Sequence, residues 1–451
     1  MNRREFIGHS AKAAAVFTAG ATVLGRPGPA RADAANDRIT MALIGVGGRG
    51  RDLGRMFTSR EDVVMKYVCD ADLNRIDTYP EQLERMQDHP VEAVQDMRRI
   101  FDDPEVDAVC VATSDHWHGL ATVWACQAGK DVYVEKPAAH NIWEGRKMVE
   151  AAEHYGRVVQ VGMQNRSAPY VAAARAYIES GALGEIPLIK VFNLKAGGSF
   201  RMPEDSEAPE GLDYDLYLGP APSRPFNRGH FHGSWNNWFD YCGGDMGDDG
   251  VHQIDIARIL LEDPAPPSAV QGMGGQLAYP DSDGDVPDTQ VVSFQYPKTV
   301  MTFELTNYAP YMQKTPPQVR DTDAFPEWAL NATRIEVYGT RQKMVLGRHG
   351  GGWQVIAAGG EVVASEYGRQ HTMEHIENFI ECIRSRQQPN GNIEQGHQSS
   401  VLVHLGNTAT VRGERLAFDG GSESFVANDD ANNSRLRKRV YRDGFAVPEV
   451  V

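Results

Sequence analysis

The chain has 451 residues, 41% of them hydrophobic, and 45 Lys and Arg stand against 61 Asp and Glu for a net charge of −16. That length gives room for two domains with complete cores, and the composition excludes a disordered chain or a fibrous repeat. The negative surface repels phosphate backbones and anionic lipid heads, which excludes nucleic acid as a partner.

In chain order, Arg3 and Arg4 precede an apolar stretch from Ala11 to Leu24 and then the small-residue pattern Ala30-Arg31-Ala32. This order predicts a twin-arginine signal over residues 1–32, removed after Ala32, and a periplasmic or otherwise exported protein with no membrane anchor left behind. Loss of its five cations and one anion takes the net charge from −16 to −20. No later run approaches the ~18 apolar residues of a membrane span.

From Arg38 to about Gln160, short β-branched runs alternate with helical stretches, the pattern of βαβ units around a parallel sheet. The predicted strands are Ile39–Ile44, Val63–Cys69, Ala108–Ala112, Val132–Glu135 and Val158–Val161. Trp117–Ala128 and Ile142–His154 have helical spacing, and Asn141-x-x-Glu144 opens the second as a capping box.

The first strand runs into Gly45-x-Gly47-x-x-Gly50. Gly45 permits a tight turn, Gly47 lets the backbone approach a pyrophosphate, Gly50 lets the helix pack on the strand, and Gly48 and Arg49 complete the cradle. Asp70, about 20 residues on at the end of the second strand, suits the hydroxyls of an adenosine ribose and favours NAD. Arg49 and Arg75 are near enough to leave NADP open. Residues 36–162 are therefore expected to form a Rossmann NAD(P)-binding domain.

Beyond Gln164 the pattern changes to a helix at Tyr170–Ser180 and then long alternating strands at Pro187–Leu194, Gln290–Tyr296, Val300–Asn307 and Arg334–Tyr338. Loops are expected at Met202–Leu212 and Pro264–Val286, and helices at Thr372–Arg384 and Gly396–Val411. Residues 163–451 read as a C-terminal α/β domain with a large, mostly antiparallel open sheet, and the polar tail after Asp419 as a surface wrap. Cys69, Cys110, Cys126, Cys242 and Cys382 are scattered, without C-x-x-C, and read as buried small hydrophobes.

"VATSDHWHGLATVWACQAGKDVYVEKP", Val111–Pro137, and "GGDMGDDGVHQIDIARIL", Gly243–Leu260, resemble the glucose–fructose oxidoreductase, inositol dehydrogenase and rhizopine-catabolism (Gfo/Idh/MocA) family. The similarity extends to "YDLYLGPAPSRPFN" and "FDGGSESFVANDDAN". It implies sugar, cyclitol or glycoside substrates and an open sheet that forms the interface of a homodimer or homotetramer. It also implies that Lys136 is the active-site lysine, Asp248 a substrate-orienting aspartate and His252 the proton-transfer histidine, with Glu135 and Lys136 close to the cofactor. Chemistry agrees: oxidising a secondary alcohol needs a base for the hydroxyl proton and a cation for the developing alkoxide.

Thr113, Trp117 and His118 follow a parallel strand and are expected to line the nicotinamide or ribose; the family usually has proline at the position of Ser114. Gln164 and Arg166 lie beyond another strand end, where cofactor carboxamide or substrate hydroxyls would bind. Asp255 closes the Asp248-x-Gly250-x-His252-x-x-Asp255 motif as a further substrate contact. Trp235, Trp238 and Tyr241 read equally as sugar-stacking or as core aromatics. His116-x-His118 and His230-x-His232 lack companion ligands, so no metal site is expected.

An exported enzyme cannot draw on a cytoplasmic cofactor pool, so the dinucleotide is expected to be loaded before export, kept, and returned to its starting state in each cycle. Oxidoreduction between a sugar or glycoside alcohol and a second carbonyl compound meets that demand. So does a redox-neutral, NAD-dependent glycoside hydrolysis through a transient keto-sugar. A non-catalytic sugar sensor is disfavoured by the joint presence of Lys136, Asp248 and His252.

Overall fold

The apolar run Ile39–Ile44 (β1) is buried along nearly its whole length, as befits a central strand covered by helices on both faces. The computed structural model describes residues 38–451, and the expected signal over residues 1–32 lies outside them. With Val63–Cys69 (β2), Glu92–Val94 (β3), Ala108–Val111 (β4), Asp131–Val134 (β5) and Val159–Val161 (β6), β1 forms a six-stranded sheet in the order β3-β2-β1-β4-β5-β6. All of its pairings are parallel. The chain reverses direction across the sheet between β1 and β4, which opens a crevice at the carboxyl ends of the strands.

Helices Gly48–Thr58, His118–Gln127 and Ile142–His154 connect the strands. Asn141 caps the last of them, its side chain accepting from Glu144 N–H at 2.9 Å while its amide donates to the Glu144 carboxylate at 2.8 Å. β3 has no counterpart in the sequence prediction: it is three residues long, and Glu92 and Ala93 are exposed, so it carries no apolar signal.

The second sheet has ten strands: Leu188–Lys195 (β7), Ala269–Gly275 (β8), Thr289–Gln295 (β9), Val300–Asn307 (β10), Arg334–Tyr338 (β11), Lys343–Gly347 (β12), Trp353–Ile356 (β13), Val362–Glu366 (β14), Arg415–Asp419 (β15) and Ser424–Phe425 (β16). Their order is β14-β13-β12-β11-β7-β10-β9-β8-β15-β16, antiparallel except where β10 runs parallel to β7. β8 lies inside the stretch expected to be a loop; in its "AVQGMGG" only Ala269 and Val270 are neither glycine nor exposed, and it is held by pairing with β9 and β15. Burial alternates along β8, β9 and β10, leaving Met273, Val291 and Val300 on an open face. Helices Pro169–Glu179, Val251–Leu260 and Ile393–Arg412 cover the other face. Helix Thr372–Ser385 instead buries Ile376, Phe379 and Ile380 on the first sheet's side, with Phe379 against Phe57 of helix Gly48–Thr58 and Tyr133 of β5. The five cysteines are free and buried, as expected.

The tail after Asp419 does more than wrap the surface, which corrects the sequence reading. Phe425, Phe445 and Val447 are buried, and Arg439, 7% exposed, pairs with the fully buried Glu144 at 2.7 Å. Ile142 and Trp143 donate their N–H groups to Leu436 O and Arg437 O, so the tail satisfies donors that the first turn of helix Ile142–His154 cannot use internally.

Candidate active site

The glycine turn leaves β1 at Gly45, whose φ of +94° suits glycine and where a Cβ would fall 2.5 Å from Ala112 O. A Cβ at Gly50 would stand 1.9 Å from Gly45 O, so the first helix can only approach its strand this closely with glycine there. Gly47 and Gly48 point into open space, with only Arg75 Nη1 at 3.6 Å from where a Gly47 Cβ would be. Together they leave an uncovered helix N-terminus facing a cleft of ≈ 550 Å³. Asp70, at the end of β2, accepts from Val46 N–H at 2.8 Å and from Asp72 N–H at 3.0 Å. Burial raises its pKa, against the pull of these bonds. A bare glycine cradle with an acid at the second strand end fits a dinucleotide.

Gly45, Gly47, Gly48, Arg49, Asp70, Thr113, Trp117, Glu135, Lys136, Gln164, Asp248 and His252 all line this one cleft. Gly50 supports the turn from behind. Arg49 reaches from the turn to the end of β5, where its Nε meets Glu135 Oε1 at 2.8 Å. Burial works against the Glu135 charge, but Arg49 and Lys136 hold its pKa below the ordinary value. Gln164 donates to Tyr133 OH at 3.1 Å. Ser114, where the family usually has proline, has φ −69° and ψ 153°, a conformation proline would share, so the turn keeps its shape.

Lys136 and Asp248 converge from the two halves of the chain. Lys136 Nζ donates to Asp248 Oδ1 at 3.0 Å and also to the Asp248 carbonyl oxygen. Asp248 sits on a π-helical turn, Met246–Gly250, that leads directly into helix Val251–Leu260, a kind of helical irregularity common at functional sites. Burial disfavours the lysine charge, yet Asp248, Glu135 and Asp115 outweigh it and raise the Lys136 pKa; Lys136 in turn lowers that of Asp248. His252 opens the following helix, 4% exposed, with Nδ1 lacking any hydrogen-bond partner. Burial, then the Arg348 and Lys136 cations, push its pKa well below the usual histidine value, so the ring is neutral.

Five expected contacts lie elsewhere. His118 is buried with its ring nitrogens 2.7 and 3.2 Å from Pro137 O and Thr113 O, bracing two loops of the cleft from behind. Arg166 forms buried ion pairs with Asp255 and Asp263, both at 2.7 Å, and Ser399 donates to Asp255. These charges sit in the core because each has its partner, not because a ligand approaches them. Trp238 donates to Gly229 O at 2.7 Å, and Tyr241 is fully buried against His116. Trp235, from the same aromatic run, lines the cleft instead. Asp115, within the Val111–Pro137 stretch, and His232, within His230-x-His232, also line it, as do Arg348, Gln370 and Phe445, which carry no motif that would mark them in the sequence.

A glycine cradle, an acid at the second strand end and a lysine–aspartate pair beside a neutral histidine in one cleft coincide with two family models. One, described as oxidoreductase family, NAD-binding Rossmann fold, matches residues 39–163; the other, oxidoreductase family, C-terminal alpha/beta domain, matches residues 174–297 and 367–446. The chain belongs to the Gfo/Idh/MocA oxidoreductase family. It is 25% identical over 325 residues to scyllo-inositol 2-dehydrogenase (NAD(+)) of Bacillus subtilis, covering 70% of this chain and 78% of that one. It is 30% identical over 169 residues to levoglucosan dehydrogenase of Pseudarthrobacter phenanthrenivorans, which is 38% of this chain but only 36% of the relative. Among solved structures of the same fold are the WlbA dehydrogenase from Bordetella pertussis in complex with NADH and UDP-GlcNAcA, with a TM-score of 0.60, 18% identity and coverage of 85% and 99%. Aldose-aldose oxidoreductase from Caulobacter crescentus matches with a TM-score of 0.63, 18% identity and coverage of 84% and 100%.

Proposed function

We propose that this Gfo/Idh/MocA protein is an NAD-dependent dehydrogenase of a sugar, cyclitol or glycoside secondary alcohol. The observation that carries the reading is the convergence of Lys136, Asp248 and His252 on the cleft that begins at the glycine turn. Named relatives that act on levoglucosan and scyllo-inositol support a polyhydroxylated substrate. When bound, NAD accepts the hydrogen and electron pair that leave the substrate carbon.

The chain's own residues supply the rest. The N–H groups around Gly47 and Gly48 hold the pyrophosphate, and Asp70 holds the adenosine ribose and disfavours a 2′-phosphate. The Lys136 ammonium, held by Asp248, donates to the substrate oxygen and stabilises negative charge as it develops. Asp248 accepts from a neighbouring hydroxyl and orients the ring. His252, neutral and lining the same cleft, takes the hydroxyl proton.

Arg3-Arg4, the apolar stretch Ala11–Leu24 and Ala30-Arg31-Ala32 support an exported enzyme that keeps its coenzyme, and the exposed Met273, Val291 and Val300 on the open face of the ten-stranded sheet support a homo-oligomer. Incubation of the purified chain with NAD and a panel of cyclitols, sugars and glycosides tests the reading. Formation of a keto product with coenzyme reduction is expected; aglycone release at unchanged redox state would indicate the hydrolytic cycle instead.

A further inference from the structure

Asp72, buried just past Asp70, ties the second half of the chain to the rim of the coenzyme cleft. Its backbone pairs with Leu212 in an isolated antiparallel bridge, flanked by bonds from Leu73 N–H to Gly211 O at 3.0 Å and from Asp213 N–H to Ala71 O at 2.9 Å. The Gln95 amide spans the join, donating to Ala71 O at 2.9 Å and to Gly211 O at 3.0 Å. Further along, Trp117 Nε1 donates to Leu216 O at 3.0 Å. The chain then leaves and returns, and His232 Nε2 donates to Asp72 Oδ2 at 2.7 Å. Among the described residues, that contact is the one hydrogen bond that joins residues 228–237 to residues 38–162. Between the two attachments the segment is packed on itself: Tyr217 OH donates to His230 O at 3.0 Å, and Phe231 packs its ring against those of Tyr217 and Phe226. His232 itself has a φ of +43°, a left-handed backbone uncommon for a residue with a side chain and found most often where function demands it. His232, Gly233 and Trp235 line the cleft together with Asp70, Ala71 and Arg75, which is the end that suits an adenosine ribose.

We propose that His232 latches residues 211–235 as a clasp over the adenosine end of the coenzyme, and that NAD enters and leaves only when the His232–Asp72 bond opens. The clasp rests on the reading that this cleft holds NAD and gives the retention of the coenzyme a structural cause. Backbone pairing at Leu212 and the Trp117 bond fix its base, whereas a single side-chain bond holds its tip, so the tip can swing while the base stays joined. A bond that stabilises the closed clasp equally with and without coenzyme slows exchange in both directions and leaves the affinity nearly alone.

Stopped-flow fluorescence of NADH with the coenzyme-free full chain tests this without turnover. In the wild-type chain the observed association rate is expected to level off at high NADH, at the rate of clasp opening. His232→Asn tolerates the left-handed backbone but is too short to reach Asp72. It is expected to raise the NADH dissociation rate about tenfold, the share of one hydrogen bond to a charged group, and to lift the association plateau, with Kd changed far less. Asp72→Ser keeps a cap for the short helix Leu73–Ile76 and should act alike, and the double variant should release NADH no faster than either single one. Association that stays linear in NADH in the wild-type chain would overturn the proposal whether or not the variants fold. So would an unchanged dissociation rate in His232→Asn, or a rise matched in full by Kd, which would make His232 an ordinary coenzyme contact. A wild-type chain that binds no NADH at all would count against the coenzyme reading itself, and the clasp would fall with it.

Discussion

Lys136 Nζ stands 3.0 Å from Asp248 Oδ1, although 112 positions separate the two residues in the chain. The Asp248 carbonyl engages a second ammonium proton, which leaves the third of a lysine's three donors for a substrate oxygen. The pair thus joins the parallel sheet to the π-turn of the second half and aims one donor into the cleft.

Lys136→Met is expected to lower kcat by about 10²–10³-fold, the loss typical of removing one donor to a developing oxyanion. The glycine cradle and Asp70 are untouched, so NADH binding, measured by fluorescence titration, should change little. Asp248→Asn keeps the shape but not the charge. It should raise KM for the polyol as well as lower kcat.

His252→Ala should cost about 10²–10⁴-fold in kcat, the usual contribution of a positioned base. Because burial and nearby cations hold the ring neutral well below the ordinary histidine range, His252 remains proton-accepting throughout that range. Alcohol oxidation by the wild-type chain should therefore show no loss from this group as pH falls through about 6.5. A pH profile of kcat checks this.

Stability carries its own pH signature. Burial lowers His116 and His404 to about 3 and His375 to about 4, and holds His140 and His252 well below the ordinary value. A depressed folded-state pKa means that the unfolded chain binds more protons below about 6.5, so the stability these groups contribute is present above that pH and is lost as pH falls toward their folded values. Asp115 at about 8 and Asp245 at about 6 act in the opposite sense over part of that window but are outnumbered. Thermal melts should show a progressive fall in Tm from about pH 7 to pH 4.

Arg439 and Glu144 are almost entirely buried and joined at 2.7 Å. Arg439→Met leaves the Glu144 carboxylate in the core without its cation. The expected loss is about 3–5 kcal/mol, read from urea unfolding. A tail that merely wrapped the surface would show a loss near zero.

Much of the site was legible because its residues come with local signals. Gly45, Gly47, Gly50 and Asp70 follow from turn and strand periodicity, and Lys136, Asp248 and His252 from the motif resemblance; all but the supporting Gly50 line one cleft. Residues that a motif spacing brings near the site are not thereby inside it. Asp255 lies in the same helix as His252 but turns to Arg166, and His118 turns to two carbonyls, because buried polar groups take the nearest partner the fold offers. Arg348 and Phe445 were not legible: their place depends on a loop and a tail that return from far along the chain, whereas Asp115 stands two residues past Thr113 within the Val111–Pro137 stretch. β3 and β8 were missed for a different reason, since short, polar or glycine-rich strands are held by their neighbours rather than by their own apolar pattern.

The most direct measurement follows coenzyme reduction by the wild-type chain and by Lys136→Met with the same polyol panel, with NADH binding to both measured alongside. We expect a polyol that reduces NAD on the wild-type chain, a keto product, and loss of that reaction in Lys136→Met at nearly unchanged NADH affinity. Reduction at the wild-type rate by the variant, or no reduction by any polyol on a wild-type chain that binds the coenzyme, would contradict it.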